Sequence, residues 1–212
     1  MRSLFELLNN ECNYLILRNW DDLFNNVLYG NGHEDIDILC DNLSSFIKLT
    51  KAQRIHSNET RDNFIVCWGD KRIRFDVRWV GDGYYPAEWA DSMLKKKMCN
   101  EMGVFVPCQE DYCYSLMYHA LFQKKSFSSE YLKKIQQSYG TFNEKVRLRD
   151  EKEVLKLLIA YLNCHSYKYV IPSDPAVYIN WKYVIKSPHL FKISALIKHV
   201  LYKIKKKLGY NG

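Results

Sequence analysis

The chain has 212 residues, 47% of them apolar and 26% charged, which is the balance of a globular protein with a core that needs no covalent staples. Its seven cysteines are odd in number, form no CxxC pair and lack regular spacing, which argues against a zinc cage or a disulfide framework and for reduced thiols. The net charge of +7 is concentrated in the last stretch: after Asp174 there are eight lysines and no acid, so 7 − 8 leaves residues 1–174 near −1.

Residues 1–11 carry Leu4, Phe5, Leu7 and Leu8 at helical spacing, without the uninterrupted apolar run of a signal peptide. No stretch approaches the roughly 20 apolar residues of a membrane span, so a cytoplasmic chain is expected. Tyr14 to Leu17 reads as a short buried strand. Asp21 and Asp22 stand where they would cap a helix through Leu23, Phe24, Val27 and Leu28, and Gly30 and Gly32 break it. GNGHEDIDILCDN follows, a strand with Asp35 and Asp37 set between core residues. Asn42 or Ser44 opens a helix through Phe46, Ile47 and Leu49. Two strands, Asn63 to Trp68 and Lys71 to Val80, flank a Gly69-Asp70 turn. Trp89 to Met98 reads as helical. A helix from Glu110 carries His119 and ends on Lys124 and Lys125, with acid at its start and base at its end as the helix dipole favours. Further helices are expected near 129–138 and 150–164. In the last segment Ser187 caps, Pro188 takes the first helical position and Gly209 stops the helix.

Paired acids in a core-like strand need a reason. Side chains two apart on a strand share one face, so Asp35 and Asp37 point together while Ile36 and Ile38 point into the core. A buried, unpaired charge costs several kcal/mol. A divalent cation between the two is the economical remedy, and hard oxygen ligands favour Mg2+ or Mn2+. In the strand Lys71 to Val80, Ile73, Phe75, Val77 and Trp79 face one way, and Arg74, Asp76 and Arg78 the other. If that hairpin lies beside the first acidic strand, Asp76 joins the same site. Three such carboxylates can hold two ions that clamp a phosphate for in-line displacement.

The segments YLILRNWDDL (14–23), HEDIDIL (33–39), RFDVRWVGDGYYP (74–86) and PCQEDYCYSLMYHALFQKK (107–125) together resemble the nucleotidyltransferase superfamily with the DNA polymerase beta-like fold. More narrowly, they resemble the bacterial members found in surface-polysaccharide gene clusters. The resemblance covers roughly residues 12–125. It implies an α+β fold: a nucleotidyltransferase-like mixed sheet with flanking helices in residues 1–105, then a mostly helical region, 106–212. It further implies a Mg2+- or Mn2+-dependent transferase in which Asp35, Asp37 and Asp76 bind metal, Asp76 also helping to deprotonate the acceptor. A nucleotide or nucleotide-activated donor and a small-molecule or carbohydrate acceptor are implied as substrates. The family's Gly-Ser turn is replaced by Leu17-Arg18-Asn19, where Arg18 is suited to grip phosphate in bidentate fashion; a CDP-activated donor then joins the triphosphates as a candidate.

Arg74 and Arg78 are placed to neutralise donor phosphates, and Arg18, Asn19, His119 and Lys124 complete the expected substrate-binding set. His119 also reads as a satisfied core histidine, and the arginines as a surface ladder. Residues 187–208 form a basic amphipathic pattern, either packed on the protein or lying on an anionic membrane surface. Nucleic acid is the less favoured partner, since no aromatic stacking platform accompanies the lysines. A toxin-type transferase acting on protein or tRNA would share the same triad, and a non-catalytic binding module would lack metal-linked stabilisation.

Overall fold

A computed structural model describes residues 1–21, 23–24, 35–55, 63–143 and 148–184. The helix expected over Val27 and Leu28, the residues His33 and Glu34, and the basic segment 187–208 lie outside the described residues. The chain is mixed α+β, with a five-stranded mixed sheet, a small two-stranded one and seven helices among the described residues.

Helix α1 (Arg2–Glu11) buries Leu4, Phe5 and Leu8, one stripe of its surface. Strand β1 (Tyr14–Ile16) pairs antiparallel with β2 (Ile36–Cys40). Helix α2 (Leu43–Thr50) starts where the Asn42 side chain accepts from the Ser45 amide at 3.0 Å. Strands β3 (Gln53–Arg54), β4 (Asn63–Trp68) and β5 (Lys71–Trp79) follow, with Gly69 at φ +62 closing the β4–β5 turn. The sheet order is β1-β2-β5-β4-β3, and β2 and β5 run parallel. A parallel pair needs a crossover connection, and the chain from α2 through β4 supplies it.

Each sheet face has its own apolar cover. Ile36, Ile38, Phe75, Val77, Phe64 and Val66 pack in one cluster with α1 and with Phe46 of α2. Leu15, Leu17 and Leu39, on the opposite face, join a second cluster with α3 (Ala87–Lys95), α4 (Gln109–Phe122), α5 (Ser129–Gly140) and α6 (Glu151–Cys164). Trp89 of α3 sits at its centre, ringed by Tyr85, Tyr118, Tyr161 and Tyr167 at centroid distances of 5.3 to 5.7 Å. The short α7 (Trp181–Val184) packs on α4.

Two expected boundaries move. The helix expected from Trp89 to Met98 runs from Ala87 to Lys95, and Met98–Cys99 becomes β6, paired with β7 (Phe105–Val106). Helix α4 stops at Phe122, so Lys124 and Lys125 lie in the following loop and not on the helix. Among the described residues no helix is long and apolar enough to cross a membrane.

Candidate functional site

Asp37 on β2 and Asp76 on β5 are register partners, and Asn63 on β4 is the partner of Asp76 across its other edge. One polar row therefore crosses three adjacent strands, on the face that carries Leu39 and the helices α3 and α4. Neighbouring strands lie about 4.8 Å apart, so two charged carboxylates in this row repel by about 3 kcal/mol at an effective dielectric of ~20. Asp35 precedes Asp37 by two positions and lines the same cleft.

Two arginines offset that repulsion. The Leu17 amide donates to the Asp37 carbonyl at 2.8 Å, which extends the β1–β2 pairing and sets Arg18 beside Asp37. Arg18 Nη2 lies 3.0 Å from Asp37 Oδ1, and its Nε donates to Oδ2 at 3.2 Å. Asn19 then turns the chain away at φ +56, a conformation asparagine tolerates better than most residues. Arg78 lies 2.8 Å from Asp76 Oδ1 through Nη2 and 2.9 Å from Asp174 Oδ2 through Nη1. Burial pushes the Asp76 carboxyl up to about 6; Arg78 pulls it back, and Asp37 adds to the rise.

Tyr84 joins the two arginines. Its hydroxyl accepts from Arg18 Nη2 at 3.2 Å, and the Arg78 guanidinium lies over its ring at 4.4 Å. The same hydroxyl is 3.0 Å from His119 Nδ1. Gln123 fixes the histidine tautomer. Its Nε2 donates to the Tyr84 carbonyl at 2.7 Å, which turns Oε1 toward His119 Nδ1 at 3.0 Å. An oxygen there requires a proton on Nδ1, which leaves the lone pair on Nε2. Burial, with Arg18 and Lys124 nearby, holds the imidazole pKa well below its usual range, so the ring is neutral.

Two clefts meet at this row. The larger, of 580 Å³, adds Arg74, Lys125, Asp174 and the exposed Tyr178; the smaller, of 300 Å³, adds Arg18, Asn19, Tyr112 and Tyr131. Asp35, Asp76, Tyr84, His119 and Lys124 line both. Two buried polar atoms here have no hydrogen-bond partner among the described residues: Arg18 Nη1 and Arg74 Nε. Such orphaned groups are rare in a folded interior and mark a place for a ligand.

All nine sequence-predicted site residues thus line one or both clefts. Arg18 and Arg78, expected as phosphate ligands, are engaged with carboxylates instead. Among the described residues no group of three or more His, Cys, Asp or Glu side chains is set to hold a metal ion. The donor chemistry nonetheless suits a hard cation: two opposed carboxylates and a third in the same cleft, all oxygen ligands. Asn63, Tyr84, Gln123 and Asp174 escaped the sequence reading. Tyr84 follows a Gly-Asp-Gly turn and Asp174 sits in a Ser-Asp-Pro turn, and both read as loop punctuation. No protein-family model matches the chain, and neither a curated protein nor a solved structure matches it.

Proposed function

We propose that the protein is a divalent-cation-dependent nucleotidyl- or phosphotransferase of the nucleotidyltransferase type, acting on a small-molecule or carbohydrate acceptor such as those of surface-polysaccharide synthesis. The observation that carries this reading is the register of Asp37 against Asp76, with Asp35 in the same cleft. Asp35, Asp37 and Asp76 would hold Mg2+ or Mn2+. When bound, such ions neutralise charge on a transferring phosphoryl group and orient it.

The chain's own groups do the rest. Arg74, Lys124 and Lys125 line the larger cleft and bind the donor's phosphates. Asp76, in register with Asp37 and lining both clefts, accepts the proton of the acceptor hydroxyl. The acceptor oxygen forms a bond to phosphorus as the bond to the leaving phosphate or nucleotide breaks, and the electron pair departs with that leaving group. His119 Nε2, aproton by its tautomer, takes a hydrogen bond from substrate, and Tyr84 keeps both arginines in place.

A thermal-shift screen of nucleoside triphosphates and CDP-linked compounds, each with and without Mg2+, tests the reading. The expected result is an upward shift that needs nucleotide and Mg2+ together and is lost in Asp37→Asn. A shift that ignores Mg2+, or survives that substitution, contradicts it.

A further inference from the structure

We propose that Asp174 is a positioning residue: it is the second counter-ion that lets Arg78 give up Asp76 when a divalent cation arrives. The inference rests on the cation-site reading above and adds a residue that reading does not use.

Arg78 is 7% exposed at its side chain and lies between two carboxylates, Asp76 at 2.8 Å and Asp174 at 2.9 Å. Asp174 is more deeply buried, at 2% exposure. Its segment is fastened to the turn after β5, since the Ser173 amide donates to the Asp82 carbonyl at 2.7 Å. Its other oxygen accepts from the Ala176 amide at 2.8 Å. A guanidinium this buried cannot release its only anion without becoming a bare charge in a poorly solvated place. With a second anion already in contact, it can release one and keep the other. The Tyr84 ring supports the guanidinium face in either case. A cation at Asp76 would otherwise meet the Arg78 charge directly. Asp174 lines the larger cleft with Asp35 and Asp76, and its ion pair to the site runs through Arg78.

The test is Mn2+ affinity measured by electron paramagnetic resonance on the full chain, with circular dichroism confirming the fold of each variant. Asp174→Asn is expected to bind Mn2+ at least about tenfold more weakly, the scale of losing an outer-shell partner. In an Arg78→Gln background the same substitution is expected to change affinity by less than about threefold, because the coupling runs through Arg78. Asp174→Ser, which keeps an oxygen for the Ala176 amide, serves the same arm if the asparagine variant does not fold. Unchanged affinity in Asp174→Asn overturns the inference. So does an equal loss in both backgrounds, which would make Asp174 a distant charge only. Absence of saturable Mn2+ binding by the unaltered protein is a different outcome, and it overturns the cation-site reading instead.

Discussion

Asp37 and Asp76 face each other across adjacent parallel strands, each gripped by its own arginine, Arg18 and Arg78. Arginines are a makeshift solution to this repulsion, and the pair keeps a cost. Asp76 shows it, with a carboxyl raised from 3.8 to about 6. The folded chain therefore holds a proton there that the unfolded chain has lost between those pH values. Stability from this group is full below 3.8 and is lost as pH rises through 6. With chelator present at pH 7.5, Asp76→Asn should stabilise the fold by about 1–3 kcal/mol in urea unfolding. A destabilised variant would show that Arg78 more than repays the burial.

His119 works in the opposite direction. Its folded pKa lies well below the usual 6.5, so below that pH the unfolded chain takes up a proton that the folded chain refuses. Stability should fall as pH drops below 6.5, by up to about 1.4 kcal/mol per pH unit from this one group. His119→Gln should flatten that part of the stability–pH curve. Parallel curves for the two proteins would show that His119 ionises freely.

Asp111 joins α3, α4 and α6 from a side chain with no exposure at all. Its Oδ1 accepts from Trp89 Nε1 at 2.9 Å and from the Tyr161 hydroxyl at 3.0 Å, and Lys96 Nζ lies 3.0 Å from Oδ2. Asp111→Ala strands two buried donors and a lysine, and should cost about 3 kcal/mol or more in unfolding followed by tryptophan fluorescence. Asp111→Asn keeps an oxygen for Trp89 and Tyr161 and should cost clearly less. Equal losses would mean that the ion pair with Lys96 is the main support.

Gly83 has φ +78, and a Cβ added there would lie 2.5 Å from the Ile171 carbonyl oxygen. Gly69, at φ +62, has nothing within 4 Å of an added Cβ. Gly69→Ala should therefore cost only about 1 kcal/mol, the left-handed penalty. Gly83→Ala should cost at least about 2 kcal/mol more and should also weaken Mn2+ binding, because Tyr84 and its two arginines move with it. Matching melting temperatures for the two variants would show that the Ile171 segment yields freely.

What the sequence made legible was local. Alternation along Lys71 to Val80 separated Phe75 and Val77 from Asp76 and Arg78, and the i, i+2 rule set Asp35 beside Asp37. Asn42, one of two residues expected to open a helix, caps α2 with its own side chain. Relationships across the chain were out of reach. Nothing near Asp37 states that its neighbour is Asp76, because parallel register is fixed by packing of the crossover and not by a turn. The ion pair between Arg78 and Asp174 spans 96 positions. The end of α4 at Phe122 was equally non-local: the Asn180 amide donates to the Phe122 carbonyl at 2.8 Å and its side chain to the Lys124 carbonyl at 2.9 Å.

The most direct measurement is anomalous diffraction at the manganese edge from crystals grown with MnCl2 and a nucleoside triphosphate. A peak within coordination distance of carboxylate oxygens from both Asp37 and Asp76, with Arg78 still on Asp174, is the predicted result. Density with no such peak, while Arg18 and Arg78 keep their grip on those two carboxylates, would contradict it.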